Sequence, residues 1–99
     1  MAFSGVHIVY GMLQNVSESS DVFGGALWSE TMAAPGVTAL AATKATARVD
    51  AFSILPTFDV FVAIGNAPNA AQSPRHLVLA GERVLLPCAL GDKVAWVAA

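Results

Sequence analysis

"DVFVAIGNAP", residues 59–68, is the stretch on which the fold turns. Val60, Val62 and Ile64 fall on one side of an alternating run and Phe61 and Ala63 on the other, the period of a β-strand. The run then meets Gly65, Asn66, Ala67 and Pro68. A strand that delivers the backbone onto a glycine raises the question of a phosphate cradle. Such a cradle needs several glycines, so that the backbone can approach the anion, and a helix N-terminus behind them. Here Gly65 stands alone, no Gly-Lys-Ser/Thr follows, and Pro68 and Pro74 deny a helix. Gly65 reads as the turn that ends a strand.

The neighbouring segments follow the same logic. Residues 66–74, "NAPNAAQSP", form a polar, proline-punctuated loop. "RHLVLAGERVLLP" (75–87) predicts a hairpin, with Ala80, Gly81 and Glu82 at its turn. "LGDKVAWVAA" (90–99) predicts a Gly91–Asp92 turn and a last strand through Val94, Trp96 and Ala98. Upstream, "VHIVYGML" (6–13) is β-branched and aromatic, and "QNVSESSD" (14–21) is a polar turn cluster. In "VFGGALWSETM" (22–32), the Gly24–Gly25 pair inside a strand-like run predicts a bulge or a close backbone approach. Pro35–Gly36 closes that segment. Residues 37–52 are ambiguous: Leu40, Lys44 and Arg48 would stack on a helix, whereas Thr43 to Phe52 alternates cleanly. The threonines favour strand. Six to eight short strands with regular turn signals predict an all-β domain, a compact sandwich or small barrel with an irregular N-terminal segment.

With 99 residues the chain is long enough for one domain and one modest core. Its distinctive feature is charge: Asp, Glu, Lys and Arg make up 12% of residues, about half the ~25% usual for soluble domains. A small, charge-poor protein is expected to have much of its surface covered by neighbours. Lys44, Arg48, Arg75, Arg83 and Lys93 are scattered and the net charge is −2, so there is no electrostatic footprint for nucleic acid. The longest uncharged runs are broken by Pro35, or by Gly65 and Pro68, short of a membrane span. "MAFSGVHIVYG" lacks the basic start of a secretion signal, and the lone Cys88, which excludes an intrachain disulfide, fits a reducing cytoplasm. After Pro87 in an apolar stretch, Cys88 reads as a core residue.

Local chemistry is absent from the pattern. His7 and His76 are the only histidines, and neither has a Cys or carboxylate at ligand spacing. No Gly-x-Ser-x-Gly elbow supports a nucleophilic serine. Glu18, Asp21, Glu30, Asp50, Asp59, Glu82 and Asp92 mostly fall at turns or outward strand positions, where solvation is the default. The expectation is therefore no enzyme, no metal and no cofactor. Trp28 and Trp96, with Phe23 and Tyr10, are either core or interface anchors; a sugar-binding face would use the same rings.

"VFVAIGNAP" followed by "HLVLAGERVLLPCALGDKVAWV" resembles a recurrent pattern in small proteins of tailed bacteriophages: a V-A-I-G-x-x-P strand and loop, a glycine turn, and a closing G-D-K-V-A strand. The resemblance covers residues 58–98, and "HIVYG" adds a little. It is nearest to accessory virion proteins, such as capsid decoration or cement proteins and tail-associated components. It implies a β-sandwich subunit present in several copies, a homo-oligomer bound to other virion proteins such as the major capsid protein. It implies localisation in the virion, assembled in the host cytoplasm, with no nucleic-acid or membrane partner. No catalytic or binding residue carries over from that group. Residues 1–36 are the expected docking arm, with Phe23, Trp28 and Met32 as interface residues; the Gly65–Pro74 loop, with Asn66, Pro68 and Asn69, is the expected exposed contact. The alternative is a carbohydrate- or small-ligand-binding β-module built on Trp28 or Trp96.

Overall fold

The computed structural model of the chain describes residues 4–17, 20–43, 50–72 and 74–99; within 12–27 and at Asp50 the description covers the backbone. The regular elements among these residues are all strands: β1 (Val6–Ser17), β2 (Ser20–Met32), β3 (Gly36–Val37), β4 (Asp50–Pro56), β5 (Val60–Gly65), β6 (His76–Val78), β7 (Val84–Pro87) and β8 (Lys93–Ala98). They form two antiparallel four-stranded sheets, ordered β2–β1–β4–β7 and β3–β8–β5–β6. The all-β expectation holds.

Alternation decides what each sheet turns inward. Val6, Ile8 and Tyr10 of β1 and Phe52 and Ile54 of β4 are fully buried, and they meet Val60 and Val62 of β5 and Val94 and Trp96 of β8. Residues of both sheets thus make one core, which defines a sandwich. Tyr10, Trp28 and Phe52 form an aromatic cluster, with ring centroids 5.6 to 5.8 Å apart. Each such pair adds about 0.5–1.5 kcal/mol beyond its buried area. Cys88 is half-buried and packed against this core, where a fully buried core position was expected.

Only the β1–β2 and β5–β6 connections join strands of the same sheet. This corrects the hairpin expected over 75–87: β6 pairs with β5 in one sheet, and β7 pairs with β4 in the other. The Ala80–Gly81–Glu82 turn is present, with Gly81 at φ +77° and Glu82 N–H donating to Leu79 O. It serves a crossover because its amides bond to the neighbouring crossover between β4 and β5. Gly81 N–H donates to Pro56 O (2.9 Å), and Ala80 N–H donates to an Asp59 carboxylate oxygen (2.9 Å).

Among the described residues, strand structure within 37–52 lies at Val37 and Asp50–Phe52; residues 44–49, on which most of the alternation falls, lie outside them. Residues 38–43 are irregular because Thr38 diverts the chain. Its hydroxyl donates to Leu40 O (2.9 Å) and accepts from Val94 N–H (3.1 Å), a local alternative to ladder pairing.

The N-terminal third is a long hairpin rather than an irregular segment. β1 pairs with β2 from Val6↔Met32 to Ser17↔Ser20, so strand replaces most of the turn expected over 14–21. The register steps from Met12↔Gly25 to Leu13↔Phe23, leaving Gly24 as the extra residue; this is the bulge that the glycine pair predicts. β1 also pairs with β4, but only from Val6↔Pro56 to Met12↔Asp50. Among the described residues, β2 alone accompanies β1 beyond Met12. The segment expected as a docking arm therefore has two parts. Its first half is a central strand of the sandwich, and the hairpin end runs past it.

Candidate interaction surface

The two sheets present different outer faces. On the first, the outward residues of β1, β2 and β4 include His7, Val9, Ser29, Thr31, Ser53 and Leu55, a mixture rich in hydroxyls. His7 Nδ1 bonds to Thr31 Oγ1 (2.7 Å), and Arg83 Nη1 donates to Ser53 Oγ (3.2 Å) from the β7 side. On the second sheet the outward rows are Leu77–Phe61–Val97 and Ala63–Ala95–Val37, set side by side by strand register. Leu77 is 56% exposed and Val37 46% exposed, and Leu79, continuing the outward parity of β6, is 44% exposed. This face is largely apolar, and Val37, Leu77 and Leu79 stand exposed on it.

Among the described residues, those of the loop 66–75 cover its middle. Ala70 is buried against Ala63 and Ala95, with Val97 alongside. Arg75 lays its guanidinium 3.8 Å from the Phe61 ring centroid and donates to Ala70 O (3.2 Å), which ties the end of the loop to the sheet. Asn69 Oδ1 accepts from Ala71 N–H (3.0 Å), an Asx turn that shapes the loop. Between the loop and the C-terminal end of β5 lies an open depression of ≈ 300 Å³ lined by Asn66, Pro68, Asn69 and Gln72 among others. The expected contact loop is thus partly sheet cover, while Asn66 and Asn69 are exposed and Pro68 is half-buried.

Trp28 and Met32 are half-buried and packed against the core, and Trp28 Nε1 donates to Ala41 O (3.0 Å). The Phe23 backbone pairs with Leu13, and its side chain lies outside the described residues. Trp96 is fully buried, with Phe58 against its ring at 5.7 Å. Neither indole lines the depression. Sequence reading passed over Val37, Leu77 and Leu79. The signal was present in "HLVL", where Leu77 and Leu79 alternate with the inward Val78.

The described carboxylates act mainly on loops. Ala39 N–H donates to both oxygens of Glu30 (3.1 and 3.2 Å), Asp59 receives Ala80 N–H, and Asp92 receives Ala89 N–H (2.9 Å). His7 and His76 stand in different sheets. Among the described residues no three His, Cys, Asp or Glu side chains gather as a metal site, and no helix is long and apolar enough to cross a membrane. The chain matches no protein-family model, no curated protein and no solved structure.

Proposed function

We propose that this chain is a structural subunit that works by binding protein surfaces. Following the resemblance of residues 58–98, the assembly it serves is a tailed-phage particle, in a decoration or cement role. The observation that carries this reading is the exposure of Val37, Leu77 and Leu79 on the outer face of the second sheet. Exposed aliphatic side chains gathered on one sheet face are a natural contact for another macromolecule. A cement subunit stabilises a shell by adding buried area across neighbouring subunits, and many weak copies act together on a symmetric lattice. The role needs no catalytic group.

The test is the composition of purified particles. Particles from producing cells are banded on a density gradient and probed with an antibody to this chain. Co-banding at a fixed copy number that survives a second gradient supports the proposal. Recovery of the chain in the soluble fraction alone, with particles intact, overturns it.

A further inference from the structure

The depression at the C-terminal end of β5 lies where a strand ladder stops. Ala99 N–H donates to Asp59 O (2.9 Å), and β5 pairs with β8 in unbroken register from Val60 to Gly65. Peptide groups along a strand face its two neighbours in turn. Those of Asp59, Phe61 and Ala63 therefore face β8, and those of Val60, Val62 and Ile64 face β6. Continuing the Val62↔His76 register sets Pro74 opposite Ile64. Proline has no N–H to give the Ile64 carbonyl, so the pairing ends at His76 and the chain widens into the loop. Ile64 and Pro74 both stand in the wall of the depression.

The loop is tied down by the chain's own contacts. Ala70 is buried against Ala63 and Ala95, Arg75 donates to Ala70 O, and Asn69 Oδ1 accepts Ala71 N–H. Gln72 N–H donates to Asn69 O (3.2 Å), and Asn66 Nδ2 lies beside Gly91, where a Cβ would come within 3.3 Å of it. A ligand that meets a loop already ordered loses less affinity to immobilising it. Gly65 stands in the same wall with φ outside the left-handed region, and a Cβ there would meet nothing within 4 Å. Neither backbone conformation nor crowding requires glycine at 65. What glycine does there is leave bare backbone on the depression, as at sites where a ligand approaches closely.

The lining selects the ligand. Among the described residues it holds three primary amides, Asn66, Asn69 and Gln72, and no charged side chain. Each amide has an acceptor oxygen and two N–H donors, and of these only the Asn69 oxygen is engaged by the loop's Asx turn. A hydroxyl also both donates and accepts, so a ligand rich in hydroxyls matches this lining, whereas an ion would meet no counter-charge. Ala67, Pro68 and Pro74 supply C–H surface for the apolar side of a sugar ring. The volume of ≈ 300 Å³ is at the small end for ligand sites. We propose that the depression binds one neutral saccharide unit, hydrogen-bonded by Asn66, Asn69 and Gln72 beside Gly65. The site uses neither Trp28 nor Trp96, and it is independent of the proposed role in a particle.

Nitrogen–proton correlation spectra of the isotope-labelled full chain test this, with glucose, galactose, mannose and N-acetylglucosamine as probes. At least one sugar is expected to shift amides between Gly65 and Gln72 saturably, while those of the Ala80–Glu82 turn stay in place. Gly65→Leu fills the depression where the backbone accepts a side chain, and it is expected to abolish the shifts. Gln72→Ala is expected to weaken binding about five-fold, the equivalent of one hydrogen bond. Dispersion of the spectra establishes that each variant is folded, and Gln72→Ala carries the test alone if Gly65→Leu is not. No saturable shift with any of these sugars, shifts that survive in folded Gly65→Leu, or unchanged affinity in Gln72→Ala each overturns the inference. A stronger response to acetylated glycine amide than to every sugar also overturns it and assigns the depression to a peptide. Co-banding with particles is measured separately, so the proposed function stands or falls apart from these outcomes.

Discussion

Thr38 is only 2% exposed, and its hydroxyl lies between Leu40 O and Val94 N–H. Thr38→Val keeps the volume but leaves the Val94 amide unpaired inside the protein, at about 1–3 kcal/mol. Thr38→Ser keeps both bonds and loses one methyl, about 0.8 kcal/mol. In urea titrations Val is expected to lower the midpoint more than Ser; the opposite order would show that packing of the methyl is what the position needs. Glycine requirements separate in the same way. Gly81 has φ +77° with open space around it, so Gly81→Ala is expected to cost only the left-handed strain of about 1–2 kcal/mol. Gly5 has φ +113°, and a Cβ there would collide with the Met32 carbonyl oxygen, so Gly5→Ala is expected to cost clearly more than Gly81→Ala in the same titration. Gly81 was legible as a turn glycine from its neighbours. Gly5 was not, because its constraint comes from a strand twenty-seven positions away in the chain, as the numbering of the two residues shows.

At the scale of elements, alternation carried the reading where a strand buries one face. β5 and β8 lie where "DVFVAIG" and "DKVAWVAA" put them, with Val60, Val62, Val94 and Trp96 inward. Pairing partners were less legible. The 80–82 turn has the residues of a hairpin, yet β6 and β7 diverge into separate sheets because the bonds that fix the turn come from Pro56 and Asp59. A local pattern contains no information about a carbonyl from another crossover. Asp59→Ala is expected to lower stability by about 1–2 kcal/mol, as loss of a charge-assisted bond to an amide does, and to speed hydrogen exchange at Ala80. Unchanged exchange at Ala80 would mean that Gly81 N–H on Pro56 O holds the two crossovers together unaided.

For the whole molecule, the low charge content gains meaning once the two outer faces are distinguished. Composition announced a surface short of charge but not where the shortage lies; that depends on which residues share a sheet face, and so on the pairing of distant strands. The first sheet solvates its outer side with Ser29, Thr31 and the His7–Thr31 pair, although Leu85 of β7 is 38% exposed there. The second sheet offers Leu77, Val37 and Leu79 with little polar relief beyond Arg75 and Lys93. Leu85→Glu and Leu77→Glu each add one negative charge to a net of −2, so they perturb overall repulsion equally and differ in the face they alter. If copies associate through the second sheet, as the expected homo-oligomer would, Leu85→Glu is expected to leave the solution mass and its concentration dependence unchanged, whereas Leu77→Glu is expected to shift the chain to monomer. Equal effects from the two would place the cause in net charge, and a larger effect from Leu85→Glu would move the contact to the first sheet. Because the two positions differ in place far more than in chemistry, the comparison tests the surface itself.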